Sequence, residues 1–309
     1  MFDARFISDT INRSAQNETD RRLFLRSTGL AGLGVLGASF LGSIDASEAM
    51  ADEDPSDASV LNFALNLEYL EAEFYQRAVT GSGLPDNLTD GVGELGGVTG
   101  GRKVKFETKA IQEYVEEIAA DELAHVKFLR TALASAAVAR PKIDLKDSFT
   151  AAARAAGLIT GSQTFDPYVS ENNFLLAAYI FEDVGVTAYK GAAPLIENKT
   201  FLEAAAGILA VEAYHASNIR TVLFSRGLAA PSIAVSDARD SLDGPDDLDQ
   251  GVAKDDKANI VPADENGIAF SRNAGQVLNI VYLTPKKATS GGFFPRGVNG
   301  SINTSADNG

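Results

Sequence analysis

The sequence predicts an all-α protein: a bundle of four long helices with one long crossover, followed by a mostly irregular C-terminal arm. Three observations lead there. Four segments between residues 56 and 226 repeat their apolar residues with a period near 3.6. No alternating strand run of any length occurs before residue 260. The two histidines of the chain each stand three residues after a glutamate, inside two of those helical segments.

The first segment to justify is not part of the fold. Residues 1–51 run from a polar, Arg-containing stretch into an apolar, Gly-rich run from about Gly29 to Ile44. They close with Ala49-Met50-Ala51, a small-x-small site before Asp52. Charged start, short apolar run and small-residue cleavage site describe an export signal. The apolar run is too short for the roughly 20 residues of a spanning helix, so no stable membrane anchor is expected. Arg21-Arg22 followed by Leu23-Phe24-Leu25-Arg26 resembles the twin-arginine signal. That resemblance implies the Tat export machinery as a partner, cleavage near Ala51, and a periplasmic or extracellular destination. It also implies a protein that crosses the membrane folded, with any cofactor already loaded.

The bundle is expected over residues 52–228. The first helix covers 56–80, with Ser56, Asp57 or Ser59 to cap it and Gly81 to end it. Residues 81–101 hold eight glycines and read as a loop. The second helix runs from about Lys105 to Ala139 and stops before Pro141. A long connection follows, with a short Ala-rich helix near 147–156. The third helix covers about Ser170–Ala193 and the fourth about Thr200–Arg226. Two long pairs joined by one crossover is a known bundle connectivity. The arm, 229–309, is rich in Asp, Gly, Pro, Ser and Asn. It is expected to be packed on the bundle or partly disordered. Its clustered Asp246, Asp247, Asp249, Asp255 and Asp256 lack calcium-loop spacing and read as solvated loop.

Composition narrows the chemistry. The chain has 309 residues, 45% hydrophobic and 22% charged, which is globular. Its 27 Lys and Arg against 42 Asp and Glu give a net charge of −15, which argues against nucleic acid as a partner. There is no cysteine, so disulfides, zinc–thiolate sites, cysteine-ligated iron–sulfur clusters and a thiol nucleophile are excluded.

The histidines sit in matching settings. The second helix carries Glu122 and His125, the fourth Glu212 and His215, and an Arg-Thr pair begins five residues after each histidine. Positions i and i+3 share a helix face, so each pair offers a carboxylate and an imidazole to one point. The first and third helices repeat in their own way: Glu68 then Tyr75, Glu182 then Tyr189, seven residues apart in both. The chain therefore reads as an internal duplication. Four glutamates inside apolar stripes must be paired, protonated or cation-bound. One or two divalent metals answer for all of them. The adjoining Glu71, Glu73, Asp121 and Asp183 are read mostly as solvent-facing charges, with Glu71 the substitute should Glu68 be the wrong choice on its helix.

On these residues the chain resembles the ferritin-like superfamily. The Leu61-Asn62 start, with Glu68 and Tyr75 beyond it, is similar to the first helix of bacterioferritins. The bundle with its arm ending Gly291-Gly292-Phe293-Phe294-Pro295 resembles exported ferritin-like proteins related to plant desiccation-related proteins. The resemblance implies a site for two Fe or two Mn ions, held by Glu68, Glu122, His125, Glu182, Glu212 and His215. It makes Glu122 and Glu212 the bridging carboxylates and Tyr75 and Tyr189 hydrogen-bonding groups across the site. It implies four catalytic glutamates, O2 or hydrogen peroxide as the reacting partner, and pairing of two chains. The long first loop and the arm depart from storage ferritins and would obstruct a closed cage. The functional expectation is oxidative or desiccation stress protection by ferroxidase, peroxidase or catalase-like chemistry. The other class is a non-enzymatic metal-binding or structural stress protein. A carboxylate oxygenase ranks last, since no substrate channel is visible in the sequence.

Overall fold

The computed structural model describes residues 55–309. The expected export segment, 1–51, lies outside the described residues. The bundle helices are α1 (Asp57–Thr80), α2 (Lys109–Leu133), α4 (Glu171–Ala192) and α5 (Lys199–Ser225), with the short α3 (Asp147–Ala155) in the crossover. α1 packs along α2 and α4 along α5, and the pairs meet through α1 with α4 and α2 with α5.

Side chains at the helix starts explain where most of these helices begin. Ser56 accepts from the Ser59 N–H, Ser170 from the Asn173 N–H, and Asn198 from the N–H groups of Thr200 and Phe201. Each satisfies a first-turn donor that the helix itself cannot. Gly81, at φ 84°, ends α1 in the left-handed conformation glycine adopts at no steric cost. α2 is shorter than the expected 105–139. Just before its first residue, the N–H groups of Glu107 and Thr108 donate to the Glu171 carboxylate of α4. At its far end the chain turns at Ala134, and Val138 is drawn into a parallel bridge with Val92 while its N–H donates to Asn62 Oδ1. Both boundaries are set by partners distant in sequence. The crossover and the first loop also pair, as the three-residue parallel strands β1 (Val98–Gly100) and β2 (Ile143–Leu145).

The arm contains two helices, α6 (Ala229–Asp243) and α7 (Ala274–Tyr282), and a two-residue hairpin of β3 (Ala253–Lys254) and β4 (Lys257–Ala258). The sequence reading left α6 inside an irregular stretch. Its buried face is polar at Ser232, Ser236, Arg239 and Asp243, so an apolar stripe hardly marks it. α7 opens with a capping box between Asn273 and Gln276. The arm is docked through its aromatics: Phe293 meets Phe149 of α3 and Phe181 of α4 edge to face, with centroids 5.0 and 4.9 Å away. Near the end of the chain Asn299 and Asn66 of α1 exchange hydrogen bonds of 2.8 and 3.0 Å.

Two readings of charge are corrected here. Of the four acids adjoining the candidate site, Glu71, Glu73 and Asp183 are buried; only Asp121 is partly exposed. Glu73 pairs with Arg77 and Arg140, and Asp183 with Arg220 and Arg239. The loop and the arm cover helix faces that a bare bundle would leave to solvent. In the arm, Asp249 is likewise buried and paired with Arg239 and Arg272, while Asp246, Asp247, Asp255 and Asp256 are exposed.

Candidate metal centre

Each bundle helix delivers side chains to one interior point. α1 supplies Glu68, α4 supplies Glu182, α2 supplies Glu122 with His125, and α5 supplies Glu212 with His215; all six are buried. His125 Nδ1 lies 3.2 Å from Glu68 Oε2, 3.5 Å from Glu122 Oε2 and 3.6 Å from Glu212 Oε1. His215 Nδ1 lies 3.1 Å from Glu122 Oε1 and 3.5 Å from Glu182 Oε2. The two imidazole rings are 6.4 Å apart between centroids.

These atoms form two overlapping groups. One is Glu68, Glu122, His125 and Glu212; the other is Glu122, Glu182, Glu212 and His215, and within each group the ligand atoms lie within 4.8 Å of one another. Glu122 and Glu212 belong to both, so their two oxygens can serve two cations at once.

Tyrosines hold the outer carboxylates. Tyr75 of α1 donates its hydroxyl to Glu182 Oε1 on α4, and Tyr189 of α4 donates to Glu68 Oε1 on α1. The exchange follows the duplication. It occupies one oxygen of each glutamate and leaves the other, Oε2, facing the cluster. Those two Oε2 atoms, both oxygens of Glu122 and of Glu212, and both histidine Nδ1 atoms have no hydrogen-bond partner. An unpaired buried carboxylate is costly, and eight such atoms aimed at one another fit a cationic occupant. Carboxylate-rich, thiolate-free ligation suits Fe or Mn.

The protonation of the bare cluster shows the same crowding. Burial pushes Glu68 up to about 7 and raises Glu182, while Glu212, buried beside Glu122 and Glu71, is raised well above the carboxylate range. Burial opposes ionisation of Glu122 too, but the flanking His125 and His215 hold it far below that range. Burial works against a charged His125, yet Glu68 and Glu122 overcome it and lift the imidazole to about 10. Protons thus do part of the work that a cation would do, and cation binding must release them.

Three further residues bear on the site, and of these the sequence reading named only Glu71 as a candidate for it, the substitute for Glu68. Glu71 is buried close to Glu122 and Glu182, which raise it well above its ordinary value together with the larger effect of burial. Gly185 makes room: a Cβ there would fall 2.5 Å from Glu212 Oε2 and 3.6 Å from Glu71 Oε1. Asp121 Oδ2 lies 3.2 Å from His215 Nε2, on the side of the ring away from the cluster. No signal on a single helix reveals that last contact, because the two residues are 94 positions apart.

A family model of the ferritin-like domain matches residues 56–225. The chain belongs to this family. The match covers all four bundle helices and ends before the arm. Two similar proteins extend further. The chain is 30% identical to the desiccation-related protein PCC13-62 of Craterostigma plantagineum over 268 residues, 81% of this chain and 85% of that one. It is 28% identical to the ferritin-like catalase Nec2 of Nesocodon mauritianus over 270 residues, with the same coverage of 81% and 85%. Both alignments are too long to be confined to the ferritin-like bundle. No solved structure gives a significant match.

Proposed function

We propose that this ferritin-like protein binds two Fe or two Mn ions and disproportionates hydrogen peroxide, as protection against oxidative or drying stress. One observation carries the reading: eight buried oxygen and nitrogen atoms, drawn from four helices, face one another without hydrogen-bond partners. The name of the Nesocodon relative, a ferritin-like catalase, supports the choice of peroxide, and the desiccation-related relative supports the stress role.

When bound, a pair of redox-active ions supplies a two-electron store: one peroxide gives two electrons and two protons and leaves as O2, and a second takes them up to become water. The chain's own residues set the conditions. Glu122 and Glu212 present two oxygens each and keep the two positions close. Tyr75 and Tyr189 fix Glu182 and Glu68 so that a single oxygen of each points inward. His125 and His215 would offer Nδ1 to the ions, since those atoms face the carboxylate oxygens. Leu65, Ala72, Ala178 and Ile219, each about one helical turn from a candidate ligand in sequence, are fully or almost fully buried, so the ligands lie on helix faces shut off from bulk water.

The test is oxygen release. The metal-loaded protein given peroxide should evolve about one O2 for every two peroxides consumed, by the balance above, and a Glu122→Ala variant should not. Fe(II) oxidation without O2 release would replace this reading with a ferroxidase. Isolation of a stable protein free of metal would leave the structural alternative.

We further propose that the protein leaves the cytoplasm through the twin-arginine machinery. Twin lysines in place of Arg21 and Arg22 should retain it inside, and mass analysis of the exported form should find a start near Asp52.

A further inference from the structure

The two halves of the duplication differ at two places that touch the cluster. On α2 the residue before Glu122 is Asp121; at the matching place on α5, before Glu212, stands Val211. Asp121 reaches across to α5 and engages the outer nitrogen of His215 at 3.2 Å, while the inner nitrogen of that ring faces Glu122 and Glu182. Val211 has no polar side-chain atom to give His125 in return. The second difference lies on the other pair. Three residues after Glu68, α1 carries Glu71; three after Glu182, α4 carries Gly185. Glu71 is buried near the space that Gly185 leaves, beside the shared Glu212, so it does not by itself favour either position.

The first difference favours one position. A carboxylate on the far nitrogen of a ligating imidazole fixes its tautomer and orientation and makes it a stronger donor; losing such a partner typically costs about 10–100-fold in metal affinity. We infer that the two cation positions are inequivalent, and that the one bounded by Glu182 and His215 fills first and binds more tightly. The inference rests on the two-metal reading above but not on any activity.

Anaerobic titration of the metal-free full chain with Mn(II), followed by calorimetry and by the resonance signal of free Mn(II), tests it. The wild type should bind two ions in two separable steps. Asp121→Asn should weaken the tight step about 10–100-fold and leave the weak step where it was. Asp121→Glu should restore part of the loss, and Val211→Asp should tighten the weak step. The Asp121 side chain is 44% exposed, so the Asn variant should melt as the wild type does when metal-free. Two equal steps in the wild type, or an Asp121→Asn variant that moves both steps together or neither, would overturn the inequivalence while leaving the two-metal reading intact. A wild type that takes up neither Mn(II) nor Fe(II) would overturn both.

Discussion

Glu122 and Glu212 are the residues on which both cation positions depend, because each offers two oxygens and neither finds a donor. Glu122→Ala is expected to lower bound metal from about two ions per chain, as in helix-bundle carboxylate sites, to less than one, measured by elemental analysis. Without metal the same variant should also be less stable than the wild type, since it takes away the carboxylate that both His125 and His215 face. Gly185 gives a complementary prediction. Gly→Ala inside a helix ordinarily stabilises by about 0.5–1 kcal/mol. Here the new methyl would occupy the place of the Glu212 carboxylate. Gly185→Ala should therefore keep the helix content, read by circular dichroism, while metal uptake falls. At this scale the sequence was most legible for the six candidate ligands. Each lies inside a helix and its i,i+3 or seven-residue spacing is local. Glu71, named as the substitute for Glu68, is buried and not solvent-facing, and the contact of the partly exposed Asp121 with His215 was not legible, because what each touches is brought to it by other helices.

Among the elements, α2 and α4 are tied by a cap that neither contains alone. Glu171, the first residue of α4, accepts from the backbone N–H groups of Glu107 and Thr108 and from the Thr108 hydroxyl, and pairs with Arg226. Burial pulls against its ionisation, but these donors hold its carboxyl below the usual value of 4.5. The sign follows from proton uptake: the unfolded chain takes the proton first as pH falls. The stabilisation is therefore present above pH 4.5 and lost as pH drops through the lower folded value. Glu171→Ala should cost about 1.5–3 kcal/mol at pH 7, the worth of hydrogen bonds to a charged group. Glu171→Gln should flatten the acid limb of the stability curve. Urea melts at pH 7 and pH 3 would show both. The same contact explains why α2 starts at Lys109 and not at the expected 105. Periodicity marks where a helix can run, and this tertiary cap decides where it begins.

The whole molecule is closed by buried ion pairs between bundle and arm. Arg220 of α5 joins Asp183 of α4 at 2.7 Å and the carbonyls of Gly251 and Asn259 in the arm. Arg239 of α6 joins Asp183 at 3.0 Å and Asp249 at 2.5 Å. Arg272 joins Asp243 at 2.5 Å and also Asp249. Removing one partner of such a set strands the others in low dielectric. Arg272→Ala should therefore destabilise by about 3–5 kcal/mol, seen as a lower denaturation midpoint. The sequence reading expected the arm to pack on the bundle or be partly disordered and took its clustered aspartates for solvated loop; of those only Asp249 is buried. The acidic residues do outnumber the basic ones, but three arginines from separate segments meet three of the aspartates inside.

The sequence by itself determined the four-helix plan and picked out the six buried side chains that converge between the helices. Those properties follow from apolar period, helix stops and residue spacing within single helices. Tertiary structure alone decided which oxygen of each glutamate is free, which histidine has a carboxylate behind it, and which charges of the arm are buried. Each of those outcomes depends on two groups far apart in the chain sharing a site that water cannot reach. Only the packed molecule brings them together and makes an unpaired charge there costly.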